Sequence, residues 1–192
     1  RIVQYSAQLY QALEAETGLA TGYKECGGIT VARTPERMVQ LLRTAAQAEA
    51  YNLECEILTP AQALERVPIL ETSDLQGAIW LPRDATANPA DVTQSLAKGA
   101  RMQGVQLIEG VAATKVLTKN GRVVGVETEF GDIECDYVVN CAGMWARQLG
   151  ERNGVTIPLQ ASEHYYLITD RIDGLDPALP VFEDPASYGY YR

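Results

Sequence analysis

The sequence predicts a mixed α/β fold with two layers, and three observations support this prediction. In the first half of the chain, short apolar runs with β character alternate with helices that carry capping signals at their N-termini. In the second half, four such runs follow one another across turn residues, as in a β-meander. A fifth run then leads straight into a helix, which is typical of a strand in a parallel sheet.

The first half begins with an amphipathic helix over residues 2–17, in which apolar residues recur at helical spacing and Gly18 is a natural stop. Two later helices open with a capping threonine followed by proline, at Thr34-Pro35 and Thr59-Pro60. The remaining elements predicted here are strands over residues 26–32, 54–58 and 75–81 and helices over residues 35–51 and 60–67. Because this alternation contains no glycine-rich phosphate loop, it predicts a layer of its own.

The second half starts with a loop at residues 84–91 and a helix from Pro89 to about residue 103. In the meander that follows, Asn120-Gly121 is the strongest hairpin signal, because both residues accept positive φ angles. The strands of the meander are predicted over residues 105–109, 113–118, 122–129 and 132–135. Residues 137–141 form the next predicted strand, which shows no alternation and is therefore expected to be covered on both faces.

The corner Ala142-Gly143, which follows that strand, is the first candidate binding site. Its residues carry almost no side chain, so a phosphate or ribose group can approach the backbone closely. In open α/β sheets, ligands bind beyond the carboxyl ends of the strands, where this corner is expected. A plain strand–helix turn is the alternative that these residues alone leave open.

Composition and charge exclude several classes of function. A net charge of −9 and a pI near 4.7 argue against nucleic-acid binding, which needs a basic surface, and against anionic membranes. The sequence shows neither an apolar run of transmembrane length nor a signal peptide, so we expect a cytoplasmic protein, or a mitochondrial matrix protein in a eukaryote. The chain begins at Arg1 and stops in a strand-like pattern, so we expect an internal fragment of a longer protein.

The four cysteines do not indicate a metal site. No two of them form a CxxC pair, and His164 is the single histidine, so a zinc site is excluded. All four lie in apolar or strand-like contexts, which favours free thiols in a reducing compartment. The cysteines therefore predict packing rather than chemistry.

Several strings of the sequence, in order, resemble one family, the FAD-dependent amine oxidoreductases of the D-amino-acid oxidase superfamily. Within it, the chain looks most like the sarcosine and dimethylglycine dehydrogenases. The strings are CGGITVARTPERM, ILTPAQALERVPIL, LQGAIWLPRDATANPADV, VVNCAGMWARQLG, and HYYLITDRIDGL followed by SYGYYR. The resemblance covers nearly all of the chain.

The resemblance implies part of an FAD/NAD(P)-binding Rossmann-like layer with a β-meander and part of a mixed-sheet substrate-binding layer. The layers are expected as follows: a leading helix at 1–18, the substrate layer at 19–87, the FAD layer at 88–158 and a return to the substrate layer at 159–192. No two glycines have the GxG spacing, so the GxGxxG fingerprint of the family is absent. We therefore expect this stretch alone to bind FAD weakly or not at all and to be inactive. A folate-binding domain elsewhere in the parent protein is left open.

By resemblance, the candidate cofactor-binding residues lie in the meander and at the corner. The backbone of the strand that starts near Ala113 would contact the adenine, and the corner string would line the ribose and diphosphate. The residues are Ala113, Cys141, Ala142, Gly143 and Trp145. Two alternatives stay open: Trp145 as a core aromatic residue and Ala113 as ordinary strand filler.

The candidate substrate-binding residues, also taken from the resemblance, are Arg192 and Tyr190. Arg192 matches the arginine of a Tyr-x-x-x-Arg string that binds the substrate carboxylate in glycine oxidase, and a guanidinium suits a planar carboxylate. A solvated terminal arginine is the alternative. His164 and Tyr165 are the candidate catalytic residues, because they match the start of a strand close to the flavin. For His164, a structural role is equally open.

The implied activity is oxidation of an N-methylated or secondary amino acid by hydride transfer to flavin. The expected partner is thus a small amine, with no nucleic acid and no membrane. Thr86 stands where dimethylglycine dehydrogenases carry histidine, and this favours the sarcosine branch. The alternative function is a non-catalytic binding module that keeps the flavoprotein fold and has lost turnover.

Overall fold

The computed structural model describes residues 2–192, which divide into two units. The first unit comprises residues 2–105 and 171–192, and the second comprises residues 106–170. Both contain helices and sheet, so the predicted mixed α/β fold is confirmed. Within residues 2–192, none of the helices combines the length and the apolar character needed to cross a bilayer.

Most helices and strands lie close to their predicted places. The helices are α1 Ile2–Thr17, α2 Pro35–Ala50, α3 Pro60–Arg66, α4 Pro89–Met102 and α5 Ala146–Arg152. The strands are β1 Lys24–Glu25, β2 Gly28–Ala32, β3 Glu56–Leu58, β4 Gly77–Leu81, β5 Ala85–Thr86, β6 Ala113–Lys119, β7 Arg122–Thr128, β8 Gly131–Glu134, β9 Val181–Asp184 and β10 Gly189–Tyr191.

A five-stranded mixed sheet in the order β10-β9-β2-β4-β3 organises the first unit. Its central strand β2 runs antiparallel to β4 and parallel to β9, with Gly28 opposite Val181 and Thr30 opposite Glu183. A short ladder of β1 and β5 pairs Lys24 with Thr86. The sheet therefore joins segments that lie far apart in the sequence.

The core of the first unit lies on both faces of this sheet. On one face, Ile29, Val31 and Trp80 pack with residues of α3 such as Ala63, which is fully buried. On the other face, Ile79 packs with Leu41 of α2. Burial of these side chains is the main stabilising contribution to the unit.

Both predicted threonine caps are present, and Asn88 forms a third cap that the sequence analysis did not predict. The side chain of Thr34 accepts a hydrogen bond from Arg37 N at the start of α2, and that of Asn88 accepts from Ala90 N at the start of α4. Thr59 forms a full capping box with Gln62, in which each side chain bonds the backbone N–H of the other residue. The local signals in the sequence therefore determined where these helices begin.

Thr59→Ala is expected to lower the free energy of unfolding of the first unit by about 1 kcal/mol, because it removes the hydroxyl that accepts a hydrogen bond from Gln62 N. Urea unfolding followed by circular dichroism would measure the loss. Thr44→Ala is the control: Thr44 lies within α2 and is exposed, so its loss should stay within about 0.5 kcal/mol. Equal unfolding midpoints for the two variants would contradict the capping role.

The second unit is built on the antiparallel meander β6-β7-β8. Asn120 and Gly121 have φ angles of 52° and 75°, so the predicted hairpin turn is confirmed. The side chain of Asn153, which follows α5, accepts a hydrogen bond of 2.8 Å from Val116 N and donates one of 2.6 Å to Leu149 O. This amide joins the helix to the meander.

Three predictions about strands are wrong, and three other predicted strands begin two residues late. Residues 105–109 and 137–141, and the apolar run after His164, form no strand in the described part of the chain. A strand is maintained by ladder hydrogen bonds to a neighbour, and none of the described segments pairs with these runs. Tyr137 and Val139 are 89% and 82% exposed, so residues 137–141 are not an interior parallel strand. The strands predicted at residues 26–32, 54–58 and 75–81 begin only at Gly28, Glu56 and Gly77.

Helix α4 falls in the first unit because it packs against α1. The hydroxyl groups of Thr17 and Ser95, both buried, lie 2.7 Å apart at this contact. The resemblance implies that residues 88–158 belong to one FAD-binding layer, and that assignment stays a prediction.

Candidate functional site

The corner Ala142-Gly143 in the second unit exposes its backbone. Gly143 has a φ angle of +55°, and apart from its chain neighbours and its own turn no residue has an atom within 4 Å of the position where its Cβ would be. Cys141 is exposed, Ala142 is half-buried, and Trp145 is 65% exposed. The alternative that Trp145 is a core aromatic residue is therefore wrong in this structure, and the corner is open to a ligand.

The side chain of Asn140 holds this corner in place. Its Oδ1 accepts a hydrogen bond of 3.2 Å from Ala142 N, and its Nδ2 donates one of 3.0 Å to Ala146 O. Trp145 N donates to Ala142 O at 3.0 Å, which closes a short 3₁₀ turn. Asn140 thus fixes both ends of the turn, a role that the sequence analysis missed although Asn is a common turn residue.

These residues fit part of a dinucleotide site. A backbone without side chains permits the close approach that a ribose or diphosphate group requires, and the left-handed φ angle of Gly143 suits glycine. Ala113 is exposed at the start of β6, opposite Thr128, and its contact with a cofactor stays a prediction. The fit covers only the corner, because the glycine fingerprint is absent from this chain.

A cleft of about 450 Å³ in the first unit contains Arg192, and we call it the basic cleft. Arg192 directly follows β10, while Lys24 and Thr86 enter from the ladder of β1 and β5. The lining residues are Lys24, Cys26, Thr86, Ala87, Asn88, Pro89, Pro177, Leu179, Val181 and Arg192. The structure therefore brings the predicted carboxylate-binding arginine together with the loop whose Thr86 departs from the dimethylglycine branch.

Tyr190 lines a second, smaller cleft of about 220 Å³, which we call the acidic cleft. It contains the carboxylates of Asp84 and Glu183, and Asp84 packs against Gly28, where a Cβ would lie 2.3 Å from its Oδ2. Partial burial, and then the charge of Glu183, raise the pKa of Asp84. The cleft is thus suited to a neutral or cationic group.

The two clefts lie side by side along the sheet. Val181 lines both clefts, which makes them neighbours. Tyr190 pairs with Glu183 across the β9–β10 hairpin, and strand alternation sends Tyr191 to the other face. Tyr191 stacks on Phe182 there, with ring centroids 5.1 Å apart. Of these two tyrosines, Tyr190 is the one that lines a cleft.

His164 and Tyr165 lie in an exposed segment of the second unit that has no regular secondary structure. The hydroxyl of Tyr165 donates a hydrogen bond to the carboxylate of Glu163, which raises the pKa of Tyr165. This bond favours the protonated phenol, whereas a catalytic base needs the opposite shift. The catalytic roles of His164 and Tyr165 stay predictions.

Sequence reasoning missed Lys24, Asp84 and Glu183. Lys24 could not be placed near Arg192, because their proximity depends on strand pairs between distant segments. Asp84 lies in a loop that was identified, but its partner Glu183 comes from β9, near the other end of the chain. Clefts formed by such pairing leave no signal in a local window of sequence.

The family model described as "DAO: FAD dependent oxidoreductase" matches residues 1–192. The Mus musculus mitochondrial pyruvate dehydrogenase phosphatase regulatory subunit is 43% identical over 171 residues, which are 88% of this chain and 20% of that protein. Homo sapiens mitochondrial sarcosine dehydrogenase is 38% identical over 180 residues, 91% of this chain and 20% of that one.

A bacterial relative matches the whole chain. The 4-methylaminobutanoate oxidase (formaldehyde-forming) of Paenarthrobacter nicotinovorans is 38% identical over 192 residues, which are 100% of this chain and 23% of that protein. Among solved structures, L-proline dehydrogenase from P. horikoshii superposes with a TM-score of 0.83 at 25% identity, covering 97% of this chain and 50% of that one. The chain spans about a fifth of the length of these curated relatives.

Proposed function

Because the chain belongs to the DAO family of FAD-dependent oxidoreductases, we propose that it is part of an enzyme that oxidises an N-methylated or secondary amino acid. The observation that carries this proposal is the basic cleft, which holds Arg192 beside the polar groups of Thr86 and Asn88. Such a cleft suits a small carboxylate ligand. Relatives named as sarcosine dehydrogenase and 4-methylaminobutanoate oxidase support the same substrate class.

The proposed role of Arg192 is to bind the substrate carboxylate through two parallel N–H···O bonds. This contact would fix the orientation of the substrate and therefore the position of its carbon–hydrogen bond. Tyr190, which lines the neighbouring cleft, would form part of the wall around the substrate. For His164 and Tyr165 a role near the reacting atoms is also proposed, on the resemblance alone.

The proposed cofactor is FAD, which supplies the hydride acceptor of the reaction when bound. Cys141, Ala142, Gly143 and Trp145 would line its ribose and diphosphate, and the backbone at Ala113 would contact its adenine. Loss of hydride leaves a substrate iminium, which water hydrolyses to an amine and an aldehyde. A further domain of the parent protein could instead pass the one-carbon unit to folate.

The test is an anaerobic titration of the full-length protein, followed by its visible spectrum. Sarcosine, dimethylglycine, 4-methylaminobutanoate and glycine are added in turn, and we expect one of the N-methylated compounds to bleach the flavin bands. Glycine is the control, since it lacks the N-methyl group. A yellow protein that none of these amines bleaches would contradict the proposal.

A second candidate function is a non-catalytic binding module with the flavoprotein fold. It is favoured by the 43% identity to a protein named as a regulatory subunit, which exceeds the 38% identity to sarcosine dehydrogenase. The departure at Thr86 is compatible with it. A full-length protein that purifies colourless, and stays colourless after addition of FAD, would support this candidate against the enzyme.

The proposed compartment is the mitochondrial matrix in a eukaryote and the cytoplasm otherwise. Relatives named as mitochondrial support this assignment. The segment alone is proposed to be inactive, since its residues fit only part of an FAD site.

A further inference from the structure

Lys24 is a second cation in the basic cleft, and the local structure aims it there. It pairs with Thr86 across the ladder of β1 and β5, and both line the cleft. Strand alternation sends the neighbouring Glu25 to the other side, where it accepts a hydrogen bond from Gln11 and lies 3.9 Å from Arg83 Nε. The carboxylate of Glu25 is thus engaged away from the cleft.

The ammonium group of Lys24 is fixed at the wall of the cleft. Its Nζ donates a hydrogen bond of 3.1 Å to Pro177 O, which uses one of its three N–H donors. Pro177 itself lines the cleft. The flexible side chain is therefore held in position before a ligand arrives, which lowers the entropy lost on binding.

The charge of the basic cleft is opposite to that of the chain as a whole. The chain has a net charge of −9. Of the described residues, the ten that line the basic cleft include two cations, Lys24 and Arg192, and no carboxylate. Walls of one charge sign concentrate the potential inside a cleft and attract ligands of the opposite sign. The acidic cleft lies on the other side of Val181. Its carboxylates repel an anion, which is therefore confined to the basic cleft.

A substrate with one carboxylate does not satisfy both cations. A single carboxylate uses its two oxygens in a fork with one guanidinium, here that of Arg192. The volume of about 450 Å³ lies within the range of small-molecule sites and leaves room for a longer ligand than sarcosine. Lys24 is therefore available for a second anionic group.

We propose that Lys24 binds a second carboxylate of the ligand, so that the basic cleft selects N-substituted amino acids with two acidic groups over those with one. This inference rests on the proposed function for the identity of the reaction and on the basic cleft for the binding site. Lys24 determines the preference for ligands with a second carboxylate, and Arg192 binds the carboxylate that all substrates share.

The test measures binding of simple anions to the full-length protein by isothermal titration calorimetry. The probes are glutarate and pentanoate, which have the same number of carbons and differ by one carboxylate. We expect glutarate to bind about 10-fold more tightly, the equivalent of one charge-assisted hydrogen bond. Lys24→Met should remove this preference by weakening glutarate much more than pentanoate, whereas Arg192→Met should weaken both to a similar extent.

Lys119→Met is the matched control, because it removes one positive charge at the end of β6 in the second unit and should keep the preference for glutarate. Lys24→Gln, with a check of thermal unfolding, replaces Lys24→Met if that variant does not fold. Equal binding of the two probes by the unmodified protein, or an unchanged preference in the Lys24 variants, would overturn the proposal.

The two proposals fail separately. A protein that prefers glutarate through Lys24 but whose flavin is bleached by no amine keeps this binding site and loses the proposed reaction. A protein that is bleached by sarcosine, with no effect of Lys24→Met on either probe, keeps the reaction and loses the second carboxylate site.

Discussion

Gly27→Ala is expected to destabilise the first unit by about 3–4 kcal/mol, because a steric clash and an unfavourable backbone conformation add together. An added Cβ would lie 1.9 Å from Cη2 and 2.3 Å from Cζ2 of Trp80, whose ring is buried. Overpacking of this kind costs about 1–3 kcal/mol. The φ angle of +76° adds the cost of a left-handed conformation, about 1–2 kcal/mol for a residue with a side chain.

The backbone at Gly27 is not free to move away from the clash. Gly27 N donates a hydrogen bond of 2.9 Å to Asp84 O, and Gly27 O accepts one of 3.0 Å from Val181 N. The ring of Trp80, with which the added Cβ would clash, is also held in place. The guanidinium of Arg66 packs on it, 4.8 Å from the ring centroid. Both the ring and the backbone are thus held in place.

Gly104→Ala is the matched control for Gly27→Ala. Gly104 also has a positive φ angle, +86°, but apart from its chain neighbours no residue has an atom within 4 Å of the position where its Cβ would be. Gly104→Ala therefore measures the cost of the left-handed conformation without a steric clash. We expect it to lower the free energy of unfolding by about 1–2 kcal/mol. Urea unfolding followed by tryptophan fluorescence would measure both variants. Equal losses would show that the contact with Trp80 contributes nothing.

Elements that depend on local chemistry could be predicted from the sequence. The threonine cap at Thr59 and the turn at Asn120-Gly121 need only residues that are close neighbours in the chain, and both formed as expected. The same holds for α1, which Gly18 ends with a φ angle of +70°. Such signals locate the ends of elements but not their neighbours.

Pairing between distant strands could not be predicted in this way. The parallel pair of β2 and β9 joins Gly28 to Val181, and no local window of sequence contains both. The run at residues 137–141 shows the opposite error, since its apolar composition predicted an interior strand that has neither ladder nor cover. The composition of a segment shows whether its side chains are apolar enough to be buried. Whether they are buried depends on which other elements of the fold cover them.

The residues of the candidate site also divide into those that local sequence predicted and those that depend on distant strand pairing. Arg192 and the Ala142-Gly143 corner were identified from strings of adjacent residues, and the structure leaves both accessible. Lys24 was not identified, because its place beside Arg192 depends on two separate strand pairings. A residue whose role arises only from tertiary contacts has no signature in its own neighbourhood.

Arg33→Met is expected to lower the free energy of unfolding of the first unit by about 2–3 kcal/mol, because it leaves the buried carboxylate of Asp184 without its charge partner. Arg33 Nε donates a hydrogen bond of 2.6 Å to Asp184 Oδ2, and Asp184 is 3% exposed. The guanidinium also pairs with the exposed Asp74. We place the loss below the range for fully buried pairs, since the side chain of Arg33 is 24% exposed.

The same variant is expected to be more sensitive to acid. Burial alone would raise the pKa of Asp184, but the hydrogen bonds from Arg33 and from Ala186 N, together with the charge of Arg33, lower it below its usual range. A lowered pKa means that Asp184 stabilises the fold fully above about pH 3.9, the ordinary pKa of aspartate, and that this contribution is lost as the pH falls through the lowered value. Without Arg33, the midpoint of acid unfolding should move to a higher pH.

The pair matters for the site because Asp184 ends β9 and shapes the turn into β10. Its Oδ1 accepts hydrogen bonds from Ala186 N at 3.0 Å and Ser187 N at 3.4 Å, and β10 then presents Tyr190 and Arg192. Acid titrations followed by circular dichroism would compare Arg33→Met with the control Arg37→Met. In the described contacts, the guanidinium of Arg37 bonds only Gln40. An unchanged acid midpoint in Arg33→Met would mean that Asp184 holds this turn through its backbone hydrogen bonds alone.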